Sequence, residues 1–308
     1  VIPDSLAHPT APAPPRRGAA PALLRTAAKR AAHGVSWALG RATAAHRVLP
    51  SFLIVGAQRC GTTSLYRSLA RHPLVLKAVW RKGVHYFDVA YHKGPAWYRA
   101  HFPLAATARR VARREGRMPL AFESSPYYLF HPLAAERIAR DLPGVKVIVL
   151  VRDPVERAWS AHAHELARGF ETEPSFERAV ALEEERLAGE EERLRREPYA
   201  VSHAHRHHAY LARGRYADQL DRLAAHLGRD RVLVLDSGDL FADPRPAFER
   251  LYAFLGLPAA GEVRLGRHNA RPRTSPMPDR LRRALREHFA PWDERLRPWL
   301  GADPSWRR

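Results

Sequence analysis

The stretch that decides the fold runs from Ser51 to Leu69, SFLIVGAQRCGTTSLYRSL. A short apolar run, Phe52 to Val55, meets a turn bracketed by Gly56 and Gly61, and a segment rich in hydroxyl side chains follows with helical spacing. That order reads as strand, anion-binding loop, helix. Glycine lets the backbone bend and approach an anion closely, and the amides that open the helix, near Thr62 and Thr63, carry the positive end of its dipole. A loop of this kind grips a phosphate-like group.

The spacing is close to the P-loop of nucleoside triphosphatases, in which Gly, four residues and Gly are followed by Lys and then Ser or Thr. Thr62 stands where that motif places its lysine, and the cation has moved into the loop as Arg59. Ordinary hydrolysis of ATP or GTP is therefore not expected. Taken alone, the stretch also fits a glycine turn in any α/β protein.

A second stretch narrows the choice. Lys146 to Leu150, KVIVL, is a β-rich run that leads into Val151-Arg152-Asp153-Pro154 and then a helical segment, with Ser160 eight residues after Arg152. An arginine at a strand end and a serine two turns into the next helix can converge on one anion. Two such loops at the carboxyl ends of parallel strands give two anion sites where open α/β sheets bind nucleotides. The expected fold is α/β and P-loop-like, with a mainly parallel central sheet flanked by helices.

On these motifs the chain resembles the sulfotransferases that use 3′-phosphoadenosine-5′-phosphosulfate (PAPS). The resemblance implies that the loop GAQRCGTTS holds the 5′-phosphosulfate through Arg59, Cys60, Gly61, Thr62 and Thr63. It also implies that an RDPxxRxxS segment, Arg152 to Ser160, holds the 3′-phosphate that distinguishes this donor from ATP. A third match is similar to the region after the first helix of the heparan sulfate N- and 3-O-sulfotransferases and their bacterial relatives. It comprises Lys82-Gly83-Val84-His85-Tyr86-Phe87-Asp88, Tyr91-His92-Lys93-Gly94 and Trp97-Tyr98. The similarity runs from about Leu49 to Gly301, and the segment from about Phe170 to Tyr199 has no counterpart. A basic loop that closes over the nucleotide in the resembling enzymes falls here on Arg271, Arg273 and Thr274, against the alternative of a plain basic surface loop.

The departures bear on the chemistry. In the glucosaminyl 3-O-sulfotransferases the residue two before the histidine is a glutamate assigned as general base, and here it is Gly83. The family's Glu-Lys-x-Pro segment reads Glu123-Ser124-Ser125-Pro126, so Lys82 or an arginine is expected to supply the missing charge.

Sulfuryl transfer is an in-line displacement, and by analogy with phosphoryl transfer most of the barrier reduction comes from positioning and fixed positive charge. Arg59, Lys82 and the loop amides are the candidates for the leaving-group side, with no metal required. For the general base, His85 is expected because its ordinary pKa lies near neutrality and its segment faces the acceptor in the resembling enzymes. Asp88 would orient it, Glu123 is the alternative base, and a packed histidine beside Tyr86 and Phe87 is the structural alternative.

Composition agrees with one large core. The chain has 308 residues, 45% of them hydrophobic, and reads as a basic, Pro/Ala-rich, partly disordered extension over 1–47 and a single sulfotransferase domain over 48–308. A single cysteine, Cys60, excludes an intramolecular disulfide framework and reads as a small residue in a tight turn. Net charge is +19, and the first fifty residues set Arg16, Arg17, Arg25, Lys29, Arg30, Arg41 and Arg47 against Asp4 alone. Cations interrupt the apolar core that a secretion signal would need, so this segment reads as a solvated extension or a basic helix lying on an anionic membrane surface. A cytoplasmic, bacterial protein with that peripheral membrane contact is the expectation, Val1 being readable as a GTG start codon.

The expected acceptor is a small molecule or glycan presenting a hydroxyl, less favourably an amine; nucleic acid is not an expected partner. Two other classes compete. A P-loop small-molecule kinase would share the first loop but has no need of Arg152 and Ser160. A non-enzymatic basic protein binding polyanions or membranes would explain the charge but neither anion motif. Elsewhere, EEERLAGEEERLRR over 183–196 reads as one solvated charged helix, and the histidines 203, 205, 207 and 208 lack the carboxylate or cysteine spacing of a metal site.

Overall fold

The computed structural model describes residues 42–261, 265–266 and 277–308. Arg271, Arg273 and Thr274 lie outside the described residues, as does the extension up to residue 41 with its expected membrane contact.

Strand β1 (Phe52–Gly56) is followed by α1 (Thr62–Leu69), β2 (Val75–Lys77), α2 (Gly94–Arg99), α3 (Ala105–Glu115) and β3 (Leu120–Ser124). Next come α4 (Ala134–Asp141), β4 (Lys146–Val151), α5 (Pro154–Leu166), α6 (Phe176–Ala181), α7 (Glu183–Leu187), α8 (Glu190–Arg196) and α9 (His203–His207). The chain continues through α10 (Tyr216–Leu227), β5 (Val232–Asp236), α11 (Ser237–Ala242), α12 (Pro244–Leu255) and α13 (Asp279–Leu300).

The five strands form one sheet in the order β2-β3-β1-β4-β5, every pair parallel. All residues of β1 and β5 are buried, which is why both read as continuous apolar runs rather than alternating ones, β5 up to its final residue Asp236. Phe52 and Phe122 stand opposite each other in the β1–β3 register and stack with ring centroids 4.8 Å apart. Such a pair adds about 1 kcal/mol beyond its buried area.

This strand order positions the site. Because β1 lies between β3 and β4, the chain passes over it on the way from one to the other, and the carboxyl end of β1 becomes the crevice where such sheets bind ligands. The β1 loop and the β4 loop become neighbours, and the Ala57 amide donates to the Leu150 carbonyl at 2.7 Å.

One expectation is corrected. The charged segment 183–196 is two helices, α7 and α8, broken at Ala188 and at Gly189 with φ 69°. Nor is all of it solvated. Glu183 is buried, and its carboxylate accepts hydrogen bonds from the amides of Tyr210, Leu211 and Ala212 at 2.9, 2.6 and 2.8 Å. Among the described residues, no helix is long and apolar enough to cross a membrane.

Candidate active site

Between β1 and α1 the loop turns through two left-handed residues, Arg59 with φ 70° and Gly61 with φ 88°. Gly61 suits that conformation, and a Cβ there would stand 2.8 Å from the Phe241 ring. Arg59 holds it at a cost of about 1–2 kcal/mol, the kind of local strain found where a side chain must be aimed. Its Nε donates to Ser160 Oγ at 3.1 Å, and its Nη1 lies 3.5 Å from His164 Nδ1. The two sequence motifs therefore meet directly.

The β4 side is built by its own capping. Asp153 caps α5, its carboxylate accepting from the amides of Val155 at 2.8 Å and Glu156 at 3.3 Å, and Pro154 takes the first helical position. Arg152, just before the cap, donates from Nη1 to the Arg59 carbonyl at 3.4 Å. Arg157 of the same motif is fully buried and donates to the Tyr210 carbonyl, so it serves the scaffold beneath the loop.

Lys82 arrives from a third direction, the segment after β2. Its Nζ donates to the hydroxyls of Thr62 and Thr63, each at 3.1 Å. Burial pushes its pKa down to about 8, against the upward pull of the Glu123 carboxylate. A lysine missing from the loop is thus replaced in space by one from elsewhere.

Residues 82–86 form a strap pinned along the end of β3. Ser124 donates its amide to the Lys82 carbonyl at 2.8 Å, Val84 donates to Glu123 Oε2 at 3.2 Å, and His85 donates to Ser125 Oγ at 3.0 Å. Ser125 Oγ in turn donates to Glu123 Oε2 at 2.7 Å. Glu123 is wholly buried, and burial pushes its pKa up despite the Ser125, Tyr128 and Val84 donors. It lies behind the strap, closed off from solvent.

His85 sits on the strap at φ 57°, with Arg59 one of two left-handed residues other than glycine among the described residues. Its Nδ1 lies 2.7 Å from Oδ2 of the fully buried Asp88 side chain, while its own side chain is 34% exposed. Ionised Asp88 can only accept, so the imidazole hydrogen is on Nδ1 and the lone pair of the neutral ring is on Nε2. Burial lowers the His85 pKa, but the Asp88 carboxylate and the more distant Glu123 outweigh it and the net shift is upward.

Gly83 has a spatial reason for lacking a side chain. A Cβ there would stand 2.6 Å from the Ser124 carbonyl oxygen and 3.4 Å from His85 Nε2. His85 borders the space that a residue at 83 would need.

The Cys60 side chain points into the core. Its thiol is buried against Tyr216 Oη at 3.5 Å, and burial pushes its pKa up. The loop holds a further residue that motif spacing missed, Gln58, whose amide donates to Glu165 Oε1 at 3.0 Å and accepts from Arg213. Its place inside the quoted loop was the signal for it; Glu165 and Arg213 carried none, since only folding brings them there. Glu165 also receives His207 Nδ1 at 2.9 Å. Other members of the histidine cluster are individually engaged, His203 and His208 on the Phe170 carbonyl and His205 on Tyr127 Oη. Among the described residues, no group of three or more side chains is arranged to hold a metal ion.

Residues 49–271 match the family model described as "Sulfotransferase domain". Heparan sulfate glucosamine 3-O-sulfotransferase 6 of Homo sapiens is 28% identical over 286 residues, covering 84% of this chain and 74% of that protein. Heparan sulfate glucosamine 3-O-sulfotransferase 3A1 of Mus musculus is 32% identical over 209 residues, 68% of this chain and 46% of that one. The bifunctional heparan sulfate N-deacetylase/N-sulfotransferase 2 of Homo sapiens is 27% identical over 216 residues, and the chain spans only 22% of its length. The crystal structure of a sulfotransferase from Alicyclobacillus acidocaldarius superposes with a TM-score of 0.58 at 31% identity, covering 85% of this chain and 100% of that one.

Proposed function

The chain belongs to the sulfotransferase family, and from that premise we propose that it transfers a sulfuryl group from PAPS to a hydroxyl, in preference to an amine, of a carbohydrate-like acceptor. The observation that carries the donor half is the meeting of Arg59, Arg152 and Ser160 where the β1 and β4 loops adjoin. Arg59, Thr62, Thr63 and the loop amides would hold the 5′-phosphosulfate, and Arg152 with Ser160 the 3′-phosphate. The donor supplies an activated sulfuryl group whose departing partner is a phosphate anion.

His85 Nε2 takes the proton from the acceptor hydroxyl as the new oxygen–sulfur bond forms and the bond to the bridging oxygen breaks. Asp88 keeps the imidazole in the tautomer this requires. Lys82 and Arg59 face the negative charge that develops on the bridging oxygen. Glu123 holds the strap that carries Lys82 and His85 instead of acting as the base. The carbohydrate-like acceptor rests on the relatives, whose names specify heparan sulfate.

Calorimetric titration with adenosine 3′,5′-diphosphate and with 5′-AMP tests the donor half. Wild type is expected to prefer the diphosphate and Arg152→Ala to lose that preference. Equal binding of both nucleotides by wild type would refute the donor assignment.

A further inference from the structure

Helix α5 presents Glu156 and Ser160, four residues apart, on one face. A carboxylate therefore shares the surface that the donor reading gives to a phosphate. Left unneutralised, it would repel the incoming dianion and capture the arginine meant for it.

Glu156 is shared unequally between two arginines. Glu156 Oε1 lies 2.5 Å from Nη1 of Arg282 in the first turn of α13, whereas its Oε2 is 3.8 Å from Arg152 Nη2. The nearer contact is the better shielded, with side-chain exposures of 25% for Arg282 and 17% for Glu156. Arg152 keeps 32% of its side chain exposed. Helix α13 is docked against α5 through Leu285 and Phe289, which are buried in one cluster with Val155 and Ala158, and its first turn also carries the exposed Arg280–Glu177 pair, so Arg282 is delivered to Glu156 by a packed helix.

We propose that Arg282 is a positioning residue of the donor site: by taking the closer share of Glu156 it limits that carboxylate's pairing with Arg152, and so sets how strongly the protein prefers a nucleotide bearing a 3′-phosphate. The inference rests on the donor reading above. Arg282 acts through Glu156 and need not touch the nucleotide.

The test is a double-mutant cycle on the full chain, titrating adenosine 3′,5′-diphosphate and 5′-AMP into wild type, Arg282→Ala, Glu156→Gln and the double variant. Arg282→Ala should lose about tenfold of the preference for the diphosphate, the size of one charge-assisted contact, with 5′-AMP binding unchanged. The double variant should regain it, because the competing carboxylate is gone. Were the pair only a tether between α5 and α13, Arg282→Ala would melt earlier yet keep its preference, and the proposal would be wrong. A loss in Arg282→Ala that Glu156→Gln fails to restore would also overturn it, by making Arg282 a direct ligand. If wild type itself shows no preference, the donor reading fails and this proposal with it; a wild-type preference that survives Arg282→Ala sinks this proposal alone.

Discussion

The ε-amine of Lys82 stands 3.1 Å from the Thr62 hydroxyl, at the position after the second loop glycine where a P-loop carries its own lysine. The charge that the loop lacks is delivered by a separate segment, and the packing of β3 between β1 and β2 makes the delivery possible. Burial, opposed by Glu123, brings the Lys82 pKa down to about 8, so its cation is lost as pH rises through that value. Turnover is expected to fall above about pH 8, and Lys82→Met to lose about 100-fold or more in kcat. Lys82→Arg should carry the plateau to higher pH. A wild-type profile flat to pH 10 would remove Lys82 from the leaving-group side.

With His85 as the proposed base, His85 and Asp88 are expected to set the acid limb of the same profile. The base must be neutral to accept a proton, and Asp88 holds the imidazole pKa above its ordinary value against the effect of burial. Activity therefore grows as pH rises through that raised value. Asp88→Asn should move the limb to lower pH while reducing turnover, and His85→Ala should lose about 10²–10⁴-fold with diphosphate binding intact. Unchanged turnover in His85→Ala would give the proton to another acceptor.

Restoring the family's glutamate should not restore a stronger enzyme. A side chain at Gly83 meets a backbone oxygen at 2.6 Å and crowds His85 Nε2. Gly83→Ala is expected to lower stability by about 1–3 kcal/mol, and Gly83→Glu to reduce kcat rather than raise it. Thermal melts beside initial rates check both, and a faster Gly83→Glu enzyme would show that the strap yields.

Glu183 is predicted to be a structural carboxylate. Glu183→Ala strands three backbone donors in a buried site and should cost about 3 kcal/mol, read as a lowered denaturation midpoint. Activity per folded molecule should stay near wild type. A melt unchanged by the substitution would mean that water can replace the carboxylate.

What was legible in the sequence follows distance along the chain. The strand-loop-helix from Phe52 to Leu69 and the strand-cap-helix from Lys146 to Leu166 are contiguous, so apolar runs, glycines, Asp153 and Pro154 were enough to place two strand-to-helix loops on a parallel sheet. His85 and Asp88 are three residues apart and were likewise readable as a pair. The charged run over 183–196 misled, because its composition says nothing of the break at Gly189 or of the three amides that draw Glu183 inside.

Sequence by itself thus determined the α/β class, the two loops that follow β1 and β4 and the residues at their tips, since local periodicity and turn chemistry act within one unit of chain. Tertiary structure decided which cation reaches the loop hydroxyls, why position 83 holds no side chain, and which arginine stands nearest Glu156. Those relationships join segments from 20 to 126 residues apart, and only the strand order β2-β3-β1-β4-β5 and the docking of α13 bring them within bonding distance.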